Sequence, residues 1–362
     1  MLINNALFFT LGLAALIAGA ELLVRGASKL AISAGISPLL IGLTIVAFGA
    51  SAPTLAVSVG AALCDAPGIA LGNVIGGNIF NVLLILGLSA LIVPLAVQNQ
   101  IIRQKIPIMI GASLLLLAFA LDGYIDRFEG LVLFATLIAY TLFLVRQSSV
   151  ATQAEQAELI GDIPETTWAR GKYIQIAMMA GGFALLALGA YWLVDAAVEV
   201  ARSLGVSDLT IGLTVVAAGT SLPGLATSLV AALRGERDIA VGNIIGSNIF
   251  NICAVLGITG IVAPNGIPVS EIARSIDLWI MAAAALACLP VIINGREISH
   301  GEGGLLLAYY AAYIIWLILV AQQSAHAHAF ANIILGYALP ATIIFLVFDI
   351  SRRDTKKTPP EP

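Results

Sequence analysis

Apolar residues run along this chain in blocks of about twenty, divided by short polar stretches. The blocks fall at 5–24, 37–63, 69–95, 106–122, 128–146, 173–201, 209–233, 239–263, 277–295, 303–322 and 330–350. A helix needs about 20 mostly apolar residues to cross the hydrocarbon core of a bilayer, so the pattern predicts membrane-spanning helices at these places. Four blocks make poor simple helices. Those at 37–63 and 69–95 contain Gly49, Ser51 and Pro53, then Gly72, Asn73, Gly76, Gly77 and Asn78, and the blocks at 209–233 and 239–263 carry near-identical sets. Such residues are expected to open the helical ladder, which a membrane tolerates only where protein buries the backbone or a hydrated cavity meets it.

The likeness between the two pairs of blocks is a repeat. IGLTIVAFGASAPTLAVS at 41–58 returns as IGLTVVAAGTSLPGLATS at 211–228, and GIALGNVIGGNIFN at 68–81 returns at the same offset of 170 as DIAVGNIIGSNIFN at 238–251. Each copy spans five blocks. An odd number reverses the sense in which the second copy enters the membrane, so the interrupted segments approach the midplane from opposite faces. Paired, Gly/Pro-interrupted apolar segments in two inverted halves are the sequence mark of a secondary transporter. The predicted fold class is therefore an all-α integral membrane protein with two inverted five-helix repeats and an eleventh, C-terminal transmembrane helix.

Composition agrees. The chain is 60% hydrophobic and 10% charged, with a mean hydropathy of +1.01. Soluble domains carry about 25% charged residues, so a soluble protein is excluded. With eleven spans, 14 basic residues fall on one side of the membrane and only Arg127, Arg202 and Arg274 on the other. The basic-rich side is cytoplasmic, which puts the N-terminus outside and the C-terminus inside a multi-pass cell (inner) membrane protein. Residues 1–20 have no basic start, which argues against a signal peptide. The chain divides into a first repeat (1–146), a polar cytoplasmic linker (147–172), a second repeat (173–322), the extra helix (323–350) and a charged, Pro-rich cytoplasmic tail (351–362).

GASAP (49–53) with GNVIGGNIFN (72–81), and GTSLP (219–223) with GNIIGSNIFN (242–251), resemble the calcium/cation antiporter superfamily, and most of all its prokaryotic sodium/calcium exchangers. The resemblance implies a ten-helix bundle, here with an eleventh helix added. Helices two, three, seven and eight would wall the ion sites, and the long helices one and six would slide across them. Sodium and calcium would compete at neighbouring sites as transported ions, with no cofactor. Carried over by motif, the ion-facing positions are Ala47, Ala50, Ser51, Thr54, Gly77 and Asn81 in the first repeat, and Ala217, Thr220, Ser221, Gly224, Ser247 and Asn251 in the second. Backbone carbonyls and the side-chain oxygens of Ser51, Ser221, Ser247, Asn81 and Asn251 would supply the oxygen ligands that hard cations take.

One departure changes the expected chemistry. In this family the residue after the motif proline is normally glutamate, yet Thr54 follows Pro53 and Gly224 follows Pro223. No formal negative charge remains at the twelve positions. Neutral oxygens can hold a monovalent ion, as channel filters do, but a divalent ion usually needs carboxylates. The expectation is an exchanger architecture with a weakened calcium site. The alternatives are a transporter of monovalent cations or another solute, and a membrane scaffold without transport. No Ser/His/Asp set, HExxH or P-loop is present, so an enzyme is not expected. The bilayer and small cations are the expected partners, and neither nucleic acid nor an obligatory protein partner is expected.

Other acids in the spans are Glu21, which sits where helix one would pass the site, and Asp195 and Glu199, read as charges near a helix end. His326 and His328 read as a polar external loop, with His300 apart from them. Cys64, Cys253 and Cys288 read as packing residues, and the Gly12, Ala15 and Gly19 stripe as a helix-packing face.

Overall fold

The computed structural model describes residues 2–34, 38–63, 67–99, 101–148, 172–203, 217–293, 297–322, 324, 326–342 and 344. The described residues are helical almost throughout. Helix α1 is Leu2–Ala34, α2 is Gly42–Leu63 after a short turn at Pro38–Ile41, α3 is Pro67–Ile92, α4 is Ile101–Asp122 and α5 is Arg127–Ser148. The second half gives α6 (Lys172–Ser203), α7 (Ala217–Leu233), α8 (Arg237–Val262), α9 (Leu278–Ile293), α10 (His300–Ala321) and α11 (His326–Ile333), the last running on through Ile334–Ala338. Eight of these are long and apolar enough to cross a bilayer by length and composition, and α7 is a shorter apolar helix.

Four short strands tie the bundle ends. Strand β1 (Leu95–Ala96) pairs antiparallel with β4 (Glu297–Ile298), and β2 (Tyr124–Ile125) with β3 (Ile267–Pro268). Helix α4 leaves the β1·β4 ribbon and ends at the β2·β3 ribbon. Its repeat mate α9 leaves β3 and ends at β4, so the two helices run in opposite directions. The pair α1 and α6 gives the same geometry. A Cβ built on Gly182 would lie 2.8 Å from the Gly19 carbonyl oxygen, and one on Gly189 would lie 2.7 Å from the Gly12 carbonyl oxygen. Numbers rising along α1 meet numbers falling along α6, so corresponding helices of the two copies are antiparallel. Side chains at these glycines would strike backbone, which is why the Gly12/Gly19 stripe packs helix on helix as expected.

Burial grades inward. The most apolar windows of α3 and α8 are 72% and 89% buried, against 11% for α10, so α3 and α8 form the centre and α10 the rim. Large apolar side chains such as Phe9, Leu131, Ile138, Leu142 and Ile318 face outward, as a protein in hydrocarbon requires.

Several sequence expectations need correction. Helix one is longer than 5–24, and Arg25 and Lys29 lie within it. The interrupted segments are not unwound. Helix runs through Ala47–Leu63 with Pro53 inside and through Ala217–Leu233 with Pro223 inside, while π-helical turns occupy Gly42–Val46, Phe80–Leu86 and Asn251–Leu256. Proline supplies no N–H, so the carbonyls of Gly49 and Gly219 lose their helical donor, yet the helix continues through both prolines. His326 and His328 lie in α11, both exposed, and not in a loop. Cys253 and Cys288 are buried and free, whereas Cys64 lies outside the described residues. So do 209–216 of the seventh block, 149–171 of the linker, 345–350 of the eleventh block and the 351–362 tail.

Candidate cation site

The motif segments meet in the middle of the bundle. Ala47, Ala50, Ser51, Thr54, Gly77, Asn81, Thr220, Ser221, Gly224, Ser247 and Asn251 are all buried. Ala217 opens α7, and its side-chain surroundings lie outside the described residues. Contacts cross between the copies. A Cβ on Gly77 would sit 3.5 Å from Asn251 Nδ2 and 3.7 Å from Ser221 Oγ. A Cβ on Gly224 would sit 3.9 Å from that of Ala50, and the Ser247 hydroxyl faces the Ala47 carbonyl at 3.5 Å. Helix α2 lies hard against α8, because a Cβ on Gly246 would fall 2.8 Å from the Leu43 carbonyl oxygen. Thr54 follows Ser51 by three positions on the same helical face and is 4% exposed.

A chain of four asparagines stitches the copies together. Asn251 Nδ2 donates to Asn78 Oδ1 at 3.0 Å, and its repeat equivalent Asn81 Nδ2 donates to Asn248 Oδ1 at 3.3 Å. Asn78 Nδ2 also reaches the Asn248 carbonyl at 3.3 Å. Each middle asparagine points its amide at a thioether, Asn78 at Met281 (3.8 Å) and Asn248 at Met109 (3.5 Å). A second pair braces the motif helices: Asn73 Nδ2 donates to Ser58 Oγ at 3.2 Å, and Asn243 Nδ2 to Ser228 Oγ at 2.8 Å and the Gly224 carbonyl at 3.3 Å. The sequence reading did not assign Asn73, Asn78, Asn243 or Asn248 to the site. The signal was there, since each recurs at the repeat offset inside GNxxGxN.

Among the twelve positions, Ser51 Oγ and Asn251 Oδ1 are buried without a hydrogen-bond partner; elsewhere Ser28 Oγ, Ser89 Oγ, Tyr140 Oη, Thr259 Oγ1 and Glu302 Oε1 share that state. Buried polar atoms are nearly always paired, and each orphan costs about 1–3 kcal/mol. An acceptor left bare in a polar core is what an oxygen reserved for a cation looks like. Ser51 also lines a cleft with Phe48, Ala52, Leu55, Phe250, Ala254 and Val255. No carboxylate stands among the positions carried over, and the described residues hold no group of three or more His, Cys, Asp or Glu side chains that could bind a metal. Glu21 is engaged elsewhere, in ion pairs with Arg234 and Arg25. Asp195 is exposed and Glu199 half-buried.

A helical membrane bundle whose equivalent helices run antiparallel, with neutral oxygens gathered between the copies, defines a class: the inverted-repeat secondary transporters. Comparison with known proteins narrows this. The sodium/calcium exchanger protein family matches residues 4–146 and 174–319. A protein of Alkalimonas amylolytica named CaxA is 41% identical over 316 residues, covering 85% of this chain and 96% of its own. The sodium/calcium exchanger MaX1 of Methanosarcina acetivorans is 34% identical over 354 residues, covering 88% and 100%. The solved sodium-calcium exchanger NCX_Mj superposes with a TM-score of 0.74 at 30% identity, covering 89% of this chain and 99% of that one. The chain belongs to the sodium/calcium exchanger family, a family of cation antiporters and not of enzymes.

Proposed function

We propose that this protein exchanges cations by alternating access at a site between the two repeats, and that the site favours sodium over calcium. The observation that carries this reading is the pair of unpartnered buried oxygens, Ser51 Oγ and Asn251 Oδ1, in a cluster without a carboxylate. Thr54 and Gly224 hold the places where the family resemblance expects glutamate. Transfer of an ion to a dry interior costs several kcal/mol even after relaxation, and more for a double charge. Oxygen dipoles offset that for a monovalent ion far better than for calcium, which normally takes carboxylates among six to eight oxygens.

The site residues in this reading are those of the two motif sets, from Ala47 to Asn81 and from Ala217 to Asn251. The halves are 1–146 and 173–322, with α11 accessory to them. The basic-rich end faces the cytoplasm, and the membrane is the inner one. A relative named inner membrane protein YrbG, from Escherichia coli K12 and 36% identical over 330 residues, supports that location. Flux in proteoliposomes tests the proposal. Radioactive sodium exchanging across the membrane, with calcium uptake weak, is the expected result. Strong sodium-driven calcium uptake would refute the selectivity, and no flux of any cation would favour a scaffold without transport.

A further inference from the structure

The asparagine–hydroxyl contacts of the two copies are not equivalent, and the difference bears on how a neutral site holds a cation. In the second repeat the residue before the motif serine is Thr220, whereas its mate in the first is Ala50. Thr220 Oγ1 donates to Asn73 Oδ1, across the repeats, at 3.1 Å. Asn73 is 7% exposed and Thr220 9%, and the Asn73 amide is itself anchored to Ser58 Oγ. Asn243, the mate of Asn73, meets no hydroxyl at position 50: it turns its amide to the Gly224 carbonyl and Ser228, and its Oδ1 accepts from Ser247 Oγ, within its own helix and not across the repeats, at 3.4 Å.

A hydroxyl carries one proton and two lone pairs. In a site with carboxylates, a hydroxyl that turns its proton inward is a minor loss. Where only dipoles attract the ion, the same rotation replaces an attraction with a repulsion. We propose that Asn73 is a positioning residue for cation binding: by holding the Thr220 proton it makes that hydroxyl meet an ion with its lone pairs. This rests on the neutral cation site proposed above and adds to it a residue outside the twelve positions. The Ser58 contact matters equally, because it presents the Asn73 carbonyl oxygen, and not its amide, to Thr220.

The test measures sodium-dependent thermal stabilisation of the purified full chain, with potassium and calcium as comparison ions. Asn73→Leu removes the acceptor and Thr220→Val removes the hydroxyl. Each is expected to weaken sodium binding about tenfold, roughly 1.4 kcal/mol, and the double variant should be no weaker than either single one, because both break the same link. Asn73→Asp keeps an acceptor and is expected to bind sodium at least as well as the wild type. It also serves where Asn73→Leu folds poorly, which the cation-free melting temperature reports. Additive losses in the double variant, or Asn73→Asp binding worse than Asn73→Leu, would overturn the role of Asn73 while leaving the site intact. A wild type with no cation-dependent stabilisation would overturn the site itself and this inference with it.

Discussion

Restoring the acids that this chain lacks tests the electrostatic argument most severely. In the double variant Thr54→Glu, Gly224→Glu, two carboxylates would face the oxygen cluster. At an effective dielectric constant of about 20, a divalent ion 4 Å from one carboxylate gains about 8 kcal/mol, and two give about 16. Stripping water from calcium takes back most of that gain, and a net of about 3 kcal/mol, roughly a hundredfold in Kd, is the expected rise. The structure sets a condition at one position. A Cβ on Gly224 fits, in van der Waals contact at 3.8 Å from Ile85 Cδ1, and a longer side chain needs room beyond it. Ile85 is 1% exposed, so Ile85→Ala is the companion change that makes room. Equilibrium binding of radioactive calcium to the purified triple variant should show the rise, and sodium-driven calcium uptake should follow. A variant that keeps its sodium response but binds calcium no better than wild type would refute the placement of positions 54 and 224 at the ion.

Three further outcomes are expected. Ser51→Ala removes a buried hydroxyl that has no partner, so the cation-free melting temperature should hold or rise while sodium binding falls about tenfold, a split that a purely structural serine would not give. Gly182→Leu drives a side chain into the Gly19 carbonyl and the Leu23 N–H, each 2.8 Å from the built Cβ; thermal unfolding in detergent should show a loss of about 3 kcal/mol, and an unchanged melting temperature would contradict the close α1–α6 packing. Glu21→Gln leaves Arg234 and Arg25 without their carboxylate, but side-chain exposure of 29% at Glu21 and 38% at Arg234 limits the loss to about 1 kcal/mol by the same assay, shrinking further as salt is added.

The apolar blocks and the offset repeat made the membrane bundle and the antiparallel sense of its copies legible, because hydrophobic length and span parity are global properties of the chain. The course of the backbone at the motifs was not legible. Gly49 and Pro53 read as a break, yet the helix runs on through both and widens earlier, at Gly42–Val46, a course that depends on what packs around it. The candidate ligands came from motif matching, but the linked series Asn251, Asn78, Asn248 and Asn81 did not, since its bonds join residues roughly 170 apart. Glu21 lay open to a functional reading until its partner Arg234, distant in sequence, was in view.

Whether a monovalent cation rests among uncharged oxygens between the copies can be seen directly by anomalous diffraction from crystals soaked in thallium(I), a heavy monovalent ion. The account predicts a peak within the cluster, ligated by Ser51 Oγ, by Asn251 Oδ1 or by both. Data without a peak there, or with thallium held instead by carboxylates elsewhere in the bundle, would contradict it.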